Sequence, residues 1–435
     1  MKLIVKQTQN LNGKVTPPSS KSQSIRALML ASLCEGESIL KNILHSDDTN
    51  DALTVCKALG ANIIESNHSL TLCGNGLPLN NVMNEIHSGN SGISTHFVMP
   101  ILGLRKNSHQ PVILNCSEQM RNRPVKSLVD ALKQLGLEIN YLNNPDTLPI
   151  SISGELTGGY AEVSGVTSQY LSALLMALPC AAKDSEIRVK NLMERPYVEM
   201  TLNWLKNQNI KYQHSLSGDV DIYQIKGKQQ YKNFSAEIAG DFSSASCIIT
   251  AATLMQGEVI LQGLDMNDVQ GDKRLVSILQ EMGAEIVCRE NTLTIHGGKK
   301  LSGIKIDASN IPDLLPALAV IGTCASGKTE IVNVSHARIK ETDRIHSMTE
   351  ELSRMNAKIS AHADGLIIYQ SQLHGANVKG YGDHRTVMAL SVAGLMADGT
   401  TTIHGSEAIA KTFPSFVEIM QSIGANMEVQ HASAA

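Results

Sequence analysis

Cationic and hydroxyl side chains recur at one kind of place in this sequence, where a helix-like segment of small and apolar residues begins. These residues and their charged neighbours are Lys21, Ser22, Arg26, Asn90, Gly92, Arg123, Ser168, Gln169, Asp313, Lys340, Glu341, Arg344, His384, Arg385 and Lys411. A helix N-terminus favours phosphate and carboxylate because it carries unpaired N–H donors and partial positive charge. Arginine adds a planar pair of donors. The pattern predicts a site for a small, multiply charged anion.

Each of these residues has a plainer interpretation when it is taken alone. Asp383 is more typical of a helix cap than of a catalyst, and His384 of a structural histidine. Lys411 fits a solvated charge at a helix end. The functional interpretation is favoured because such residues occupy the same position in successive repeats.

Six apolar segments must position these side chains. They begin at Ser20, Asn90, Ser168, Asp241, Asn310 and Asp383. Each opening residue is a type that caps helix N–H groups, and the rest is apolar on nearly all sides. We therefore expect six buried helices.

A second helix-like segment follows each apolar one and stops at a residue suited to the left-handed conformation. The stops are Gly60, Gly136, Asn209, Gly283, Asn356 and Gly424. By subtraction they lie 76, 73, 74, 73 and 68 positions apart, the size of a small α/β unit rather than of a solenoid repeat. Six βα units predict an α/β protein of two lobes, with residues 1–19 and 237–435 in one and 20–236 in the other.

Composition excludes several classes of protein. The chain has 435 residues, 42% of them hydrophobic and only 3% aromatic, with a net charge of −4, so neither a base-stacking surface nor a general attraction to polyanions is expected. No apolar stretch approaches the ~20 residues that span a membrane. The eight cysteines are scattered and predict reduced, buried side chains in a cytoplasmic protein. The histidines form no metal-binding motif, so no metal is expected.

One motif is a decoy. The run GTCASGKT, residues 322–329, fits the phosphate-loop pattern GxxxxGK[ST]. A true phosphate loop follows a strand and precedes a helix. Here an apolar helix-like segment comes first and the β-like TEIVNV comes after, which predicts a turn at a helix end.

The blocks SKSQSIR, GNSG, MRNRP, SQYLSALL, GDFSSAS, IPD, RIKETDR, GDHR and AKTFP, in this order, resemble the 5-enolpyruvylshikimate-3-phosphate (EPSP) synthase family over essentially the whole chain. The resemblance implies two lobes of inverted α/β barrel with the active site in the cleft between them. It implies transfer of the enolpyruvyl group of phosphoenolpyruvate to the 5-hydroxyl of shikimate 3-phosphate. No cofactor or metal is implied, and we expect a monomer without nucleic-acid or membrane partners.

The resemblance also implies roles for individual residues. Catalytic roles fall to Lys21, Asp313, Glu341 and His384. Substrate-binding roles fall to Ser22, Arg26, Asn90, Gly92, Arg123, Thr167, Ser168, Gln169, Tyr197, Lys340, Arg344, Arg385 and Lys411. Glu341 with Lys21 would serve the methyl carbon, and Asp313 the acceptor hydroxyl.

The sequence departs from the family pattern at five positions, Ile93, His96, Thr167, Glu194 and His336. The family has a serine in place of Glu194, which helps to hold the acceptor phosphate. A carboxylate there repels phosphate unless it is protonated, turned away or paired with Arg195. Ile93 in place of threonine implies weak inhibition by glyphosate.

These departures leave four alternatives open. They are a paralogous enolpyruvyl transferase with another cyclic acceptor, a sugar-nucleotide enolpyruvyl transferase, a catalytically silent binding protein and a phosphate-loop nucleotidase.

Overall fold

The computed structural model describes residues 1–66 and 69–431 as a mixed α/β protein. The α-helices are α1 (Lys21–Leu33), α2 (Asp47–Ala58), α3 (Gly92–Ile101), α4 (Glu118–Arg121), α5 (Lys126–Gln134), α6 (Ser168–Ala177), α7 (Arg195–Asn207), α8 (Phe242–Leu254), α9 (Arg274–Met282), α10 (Leu315–Cys324), α11 (Arg344–Arg354), α12 (His384–Met396) and α13 (Phe416–Ser422).

The strands fall between these helices. They are β1 (Lys2–Lys6), β2 (Gly13–Val15), β3 (Glu35–Lys41), β4 (Asn62–Glu65), β5 (Ser69–Asn75), β6 (Glu85–His87), β7 (Val112–Asn115), β8 (Leu137–Tyr141), β9 (Ile150–Gly154), β10 (Gly159–Ser164), β11 (Ser185–Lys190), β12 (Tyr212–Ser217), β13 (Val220–Ile225), β14 (Ser235–Glu237), β15 (Gly257–Gln262), β16 (Glu285–Arg289), β17 (Thr292–Gly297), β18 (Lys305–Asp307), β19 (Lys328–Val332), β20 (Lys358–His362), β21 (Gly365–Tyr369), β22 (Asn377–Lys379), β23 (Thr400–His404) and β24 (Met427–Gln430).

The chain forms two compact units. Unit 1 contains Met1–Ser20 and the chain from Ala239 onward, and unit 2 contains Lys21–Ile238. Each unit has its own apolar core. The chain enters unit 2 after Ser20 and leaves it after Ile238. These crossings lie one and two residues later, respectively, than the boundaries predicted from the sequence.

Every sheet in the described chain has four strands in one arrangement: a short strand lies parallel to its neighbour, and two antiparallel strands follow. In unit 2 the orders are β14-β3-β5-β4, β6-β7-β9-β8 and β10-β11-β13-β12, and in unit 1 they are β2-β15-β17-β16, β18-β19-β21-β20 and β22-β23-β1-β24. The repeat is therefore βαβαββ. Three of the six repeats are completed by strands distant in sequence, β14, β2 and β1.

The residue pattern explains which elements lie inside each unit. The first helix of each repeat is buried nearly all round: in α8 every residue except Leu254 is buried. The second helix buries one face only, as in α5, where Leu128 and Leu132 are buried. Strands bury alternate residues, such as Ile187 and Val189 of β11. The sheets therefore form the outer layer around apolar helices, which confirms the predicted inverted α/β arrangement of six repeats.

The six predicted helix stops are confirmed, since each adopts positive φ directly after its helix. The φ values are 94° at Gly60, 107° at Gly136, 57° at Asn209, 108° at Gly283, 72° at Asn356 and 106° at Gly424. Glycine and asparagine are the residues that enter this region most readily.

Three of the predicted helix starts were wrong in detail. The cap of α3 is Ser91 rather than Asn90, and the cap of α6 is Thr167 rather than Ser168. Asn310 does not open α10, because the 3-10 turn Pro312–Leu314 comes first. Proline lacks the N–H that a longer helix would need at that point.

Two further outcomes concern the decoy motif and the cysteines. The motif spans the end of α10 and the start of β19, and Gly327 between them has φ of 84°, so the helix-end interpretation is confirmed. All eight cysteines are free. The prediction that they are buried is confirmed for four of them, Cys34, Cys56, Cys116 and Cys247. It was wrong for the partly exposed Cys73, Cys180 and Cys324, and for Cys288, which is exposed on β16 at the edge of its sheet.

In residues 1–66 and 69–431, no helix combines the length and the apolar character needed to cross a membrane.

Candidate active site

Arg344 is the centre of a charged cluster in unit 1. It is the first residue of α11 and is only 1% exposed. Its Nη1 donates to Asp313 Oδ1 at 2.7 Å and its Nη2 donates to Glu341 Oε2 at 2.8 Å. Its Nε donates to Asp383 Oδ2 at 2.7 Å. Burial alone would lower the pKa of Arg344, but the three carboxylates raise it well above its usual value.

Asp313 lies between two guanidinium groups. Arg344 holds one carboxylate oxygen, and Arg385 Nη2 holds the other at 2.9 Å. Burial favours the neutral acid, but Arg385 and Arg344 outweigh burial and hold the pKa of Asp313 well below its usual value. Asp313 is therefore an ionised carboxylate at neutral pH.

Three of the predicted site residues, His384, Arg385 and Lys411, lie at or beside the start of α12. Asp383 caps the helix by accepting the N–H of Arg385 at 2.8 Å, as its plainer interpretation predicted. His384 follows and is 1% exposed. Lys411 Nζ donates to the carbonyl of Gly382 at 2.8 Å, which places this ammonium group beside the same helix start. Lys340, next to Glu341 in the sequence, also lowers the pKa of Asp313.

In unit 2, Gly92 contacts side chains from two other segments. A Cβ built on Gly92 would lie 2.5 Å from Arg123 Nη1 and 3.3 Å from Gln169 Oε1. A larger residue at this position would therefore displace the guanidinium from the helix start. Gln169 Oε1 lies 2.7 Å from His96 Nδ1, so three predicted residues and one departure from the family pattern form a single cluster.

His96 adds no permanent positive charge to this cluster. Burial lowers its pKa to about 4, with the positive charge of Arg123 adding to the effect. The imidazole is neutral at pH 7. Arg123 therefore supplies the positive charge of this cluster.

Two carboxylates of α2 bind groups from neighbouring segments of unit 2. Asp48 pairs with Lys21 at 3.0 Å, and both side chains are largely buried. Asp51 Oδ2 accepts the backbone N–H groups of Asn90 at 2.9 Å and Ser91 at 3.2 Å. Burial, followed by the charge of Asp48, raises the pKa of Asp51 to about 6. The turn that carries Asn90 is thus fixed by a neighbouring helix.

Arg26 is 1% exposed and ties α1 to α7. Its three nitrogens donate to Ser22 O at 2.9 Å, Tyr197 O at 2.8 Å and Thr201 Oγ1 at 2.9 Å. Burial lowers its pKa to about 10. The structure thus gives Arg26 a positioning role, and its predicted contact with the acceptor stays a prediction.

The start of α6 carries Thr167 and Ser168. Thr167 caps the helix, and Ser168 donates its N–H at 3.0 Å and its hydroxyl at 2.7 Å to Glu194 Oε2. Glu194 therefore points at the helix start and is not turned away from it. Both nitrogens of the Arg195 fork donate to Asp221, at 2.8 and 2.6 Å.

Sequence reasoning missed Asp48, Asp51 and Asp272. Asp272 is buried, accepts the hydroxyl of Ser243 at 2.5 Å, and has its pKa raised by burial and by Asp313. All three lie at starts of elements other than the six apolar helices. A search for acidic residues in the first turn of the second helix of each repeat would have found Asp48. Within the described part of the chain, no cluster of histidine, cysteine and acidic residues could hold a metal ion.

The fold of this chain matches solved structures over nearly its whole length. A solved structure of EPSP synthase from Acinetobacter baumannii superposes with a TM-score of 0.83 at 24% identity, covering 99% of this chain and 100% of that one. The enolpyruvyl transferase NikO from Streptomyces tendae gives a TM-score of 0.80 at 15% identity, covering 99% of each chain.

Sequence comparison is more specific. The family model described as EPSP synthase (3-phosphoshikimate 1-carboxyvinyltransferase) matches residues 5–420. A 3-phosphoshikimate 1-carboxyvinyltransferase from Ruminiclostridium cellulolyticum is 42% identical over 97% of this chain and 99% of its own. One from Methanococcus vannielii is 38% identical over 98% of this chain and all of its own. The chain belongs to the EPSP synthase family, which confirms the resemblance inferred from the sequence.

Proposed function

We propose that this protein is an enzyme that transfers the enolpyruvyl group of phosphoenolpyruvate to the 5-hydroxyl of shikimate 3-phosphate and releases phosphate. Family membership over nearly the whole chain supports the reaction. The observation that carries the mechanism is the carboxylate of Asp313 held between Arg344 and Arg385.

The reaction needs proton transfer in two directions. A proton is added to the methylene carbon of phosphoenolpyruvate while the acceptor hydroxyl, losing its own proton, bonds to the adjacent carbon and forms a tetrahedral ketal. A methyl proton then leaves as the bond to phosphate breaks. We assign Asp313 to the hydroxyl proton, Glu341 with Lys21 to the methyl carbon, and a further catalytic role to His384.

The arginine contacts of Asp313 give the substrate a way to activate this base. Arg344 and Arg385 depress the pKa of Asp313, so the carboxylate is a weak base without substrate. An anionic substrate that draws on the same two guanidinium groups weakens their hold on the carboxylate. The basicity of Asp313 then rises as substrate binds.

Unit 2 supplies anion-binding groups in this proposal. Gly92, Arg123 and Gln169 form one contact cluster, which we assign to phosphoenolpyruvate together with Lys21 and Asn90. The remaining cations assigned to this substrate are Arg344, Arg385 and Lys411. The acceptor is assigned to Ser22, Arg26, Thr167, Ser168, Tyr197 and Lys340.

The proposal needs no cofactor, metal, nucleic acid or membrane. Its two partners are the small anions themselves, and we propose a cytoplasmic monomer.

The decisive experiment measures phosphate release from phosphoenolpyruvate with shikimate 3-phosphate as acceptor. A panel of other cyclic alcohols, a sugar nucleotide, and ATP without phosphoenolpyruvate provide the comparisons. We expect release with shikimate 3-phosphate well above release with any other acceptor. Release with another acceptor alone would instead support a paralogous transferase. This is the second candidate, because the buried Glu194 accepts a hydrogen bond from Ser168, a residue assigned to the acceptor.

We also propose weak inhibition by glyphosate. Ile93 follows Gly92 in the first turn of α3 and is 6% exposed, so its branched side chain is buried directly beside the glycine in the sequence. Replacement of Ile93 by threonine should lower the inhibition constant for glyphosate. An unchanged constant in Ile93→Thr would remove this part of the proposal.

A further inference from the structure

The carboxylate of Glu194 occupies the hydrogen-bond donors at the start of α6. A single oxygen, Oε2, accepts from Ser168 N at 3.0 Å and Ser168 Oγ at 2.7 Å, and Thr167 Oγ1 lies at 3.5 Å. The residue is 1% exposed. This carboxylate is therefore part of the interior of unit 2 and not a mobile surface charge.

The backbone of Glu194 also adopts an unfavourable conformation. Glu194 precedes α7 with φ of 57° and ψ of 36°, in the left-handed region. A residue other than glycine persists there only where its contacts compensate for the cost. The hydrogen bonds to Ser168 are contacts of that kind.

The same donors suit a phosphate oxygen. A backbone N–H at a helix start together with two hydroxyl groups is a typical set of donors for phosphate. Under the proposed function, the acceptor carries a phosphate and contacts Thr167 and Ser168. Each donor hydrogen serves one acceptor at full strength, and two anions at contact distance repel. Glu194 and an acceptor phosphate therefore cannot share this set.

We propose that Glu194 is a specificity-determining residue, a built-in competitor of the acceptor phosphate for Ser168 and Thr167. This inference rests on the proposed function. Binding of shikimate 3-phosphate displaces the carboxylate, so the acceptor binds more weakly than the donors alone would allow. An acceptor without the phosphate group does not need to displace the carboxylate, so Glu194 does not oppose its binding.

The test compares two substitutions and two acceptors. Glu194→Ser removes the carboxylate, and Glu194→Gln keeps its shape without the charge. Calorimetric titration gives Kd for shikimate 3-phosphate and for shikimate, and phosphate release gives KM and kcat. We expect Kd and KM for shikimate 3-phosphate to fall about tenfold or more in Glu194→Ser, because charge-assisted hydrogen bonds are released for the ligand. The fall should be smaller in Glu194→Gln, and values for shikimate should stay within about twofold.

Glu199→Gln is the matched control, because Glu199 is exposed on the same helix and its replacement makes the same change in charge. Thermal unfolding of each variant checks that it is folded, and Glu194→Gln carries the test if the serine variant is not. Two results overturn the inference: Kd for shikimate 3-phosphate unchanged in both Glu194 variants, or an equal gain for shikimate. Tighter binding without phosphate release in any variant would instead contradict the proposed function and leave the inference supported.

Discussion

The two units share one repeat but bury their arginines in opposite ways. Arg344 in unit 1 and Arg26 in unit 2 are each 1% exposed. Arg344 donates to three carboxylates, whereas Arg26 donates to two backbone carbonyls and a hydroxyl. Unit 1 has thus gathered charges that can exchange protons. In unit 2 the buried arginine lies within the first helix of its repeat and holds α1 to α7, whereas Arg344 begins the second helix of its repeat. The two arginines therefore differ both in their place in the repeat and in the groups that they hold.

The anion-binding groups differ in the same way. In unit 1 the guanidinium groups of Arg344 and Arg385 are matched by Asp313. In unit 2 carboxylates accept from backbone N–H groups at helix starts, Asp51 near α3 and Glu194 at α6. We infer that substrate anions compete with carboxylates for the arginines of unit 1, and in unit 2 both for Lys21 and for N–H donors.

The largest expected effect is a loss of turnover when the proton-transfer group of unit 1, Asp313, is replaced. In Asp313→Asn the side chain keeps its shape but loses its basic oxygen, so we expect turnover to fall about a thousandfold. Steady-state phosphate release measures this. Asp307→Asn, at an exposed carboxylate on β18 of the same unit, is the control and should change turnover little. Turnover within about tenfold of wild type in Asp313→Asn would remove Asp313 from the mechanism.

The second prediction compares the two buried arginines directly. Arg344→Met leaves three carboxylates without their shared cation, and we expect a loss of about 3–5 kcal/mol in the free energy of unfolding. Arg26→Met leaves only neutral acceptors, and we expect about 1–3 kcal/mol. Urea unfolding measures both, with circular dichroism for the whole chain. The single tryptophan, Trp204, lies on α7 and reports unit 2 by fluorescence. A larger loss for Arg26→Met would reverse the comparison.

The third prediction concerns the cluster of Gly92, Arg123 and Gln169 in unit 2. In Gly92→Ala the new Cβ would lie 2.5 Å from Arg123 Nη1, so the guanidinium must move. We expect KM for phosphoenolpyruvate to rise about tenfold or more, since a charge-assisted contact is lost. Gly322→Ala in α10 is the control, because its Cβ would meet only carbon atoms of side chains, at 3.1 Å or more. An unchanged KM in Gly92→Ala would separate this glycine from substrate binding.

The fourth prediction uses pH to test the carboxylate near α3. The pKa of Asp51 is raised from 3.8 to about 6 in the folded protein, so the folded state binds the proton more tightly than the unfolded state does. The stabilising contribution is therefore full below the unfolded value and is lost as pH rises through about 6. Unfolding midpoints between pH 4 and pH 8 (roughly the range that brackets this titration) should fall more steeply for wild type than for Asp51→Asn. If the unfolding midpoints of wild type and Asp51→Asn fall in parallel with pH, the raised pKa of Asp51 is contradicted.

The smallest effect is expected at the phosphate-loop look-alike. The side chain of Lys328 is 49% exposed and pairs with Glu330 at 3.1 Å. Lys328→Ala should change the free energy of unfolding by less than about 0.5 kcal/mol and leave phosphate release unchanged. A marked loss of activity would reopen the nucleotidase alternative.

Local patterns made much of the fold predictable. The six helix stops depend only on which residues tolerate positive φ, and all six were found. The starts were less predictable, because Asn90 and Ser91 are both capping types and only the structure shows which is used. The pairing of Asp313 with Arg344, 31 residues apart, depends on how two elements pack, and no periodicity in the sequence carries that information.

The place of β1 has a consequence for the order in which the protein folds during its synthesis. Residues 2–6 are made before every other strand described in this chain, yet β1 lies between β23 and β24, where Leu3 is opposite both Ile403 and Val429. Unit 2 needs nothing beyond Ile238. On the ribosome, unit 2 can therefore close its core while β1 waits for almost the whole remaining chain, with both of its edges open to other partners. The emerging chain should show early protease resistance in unit 2 alone.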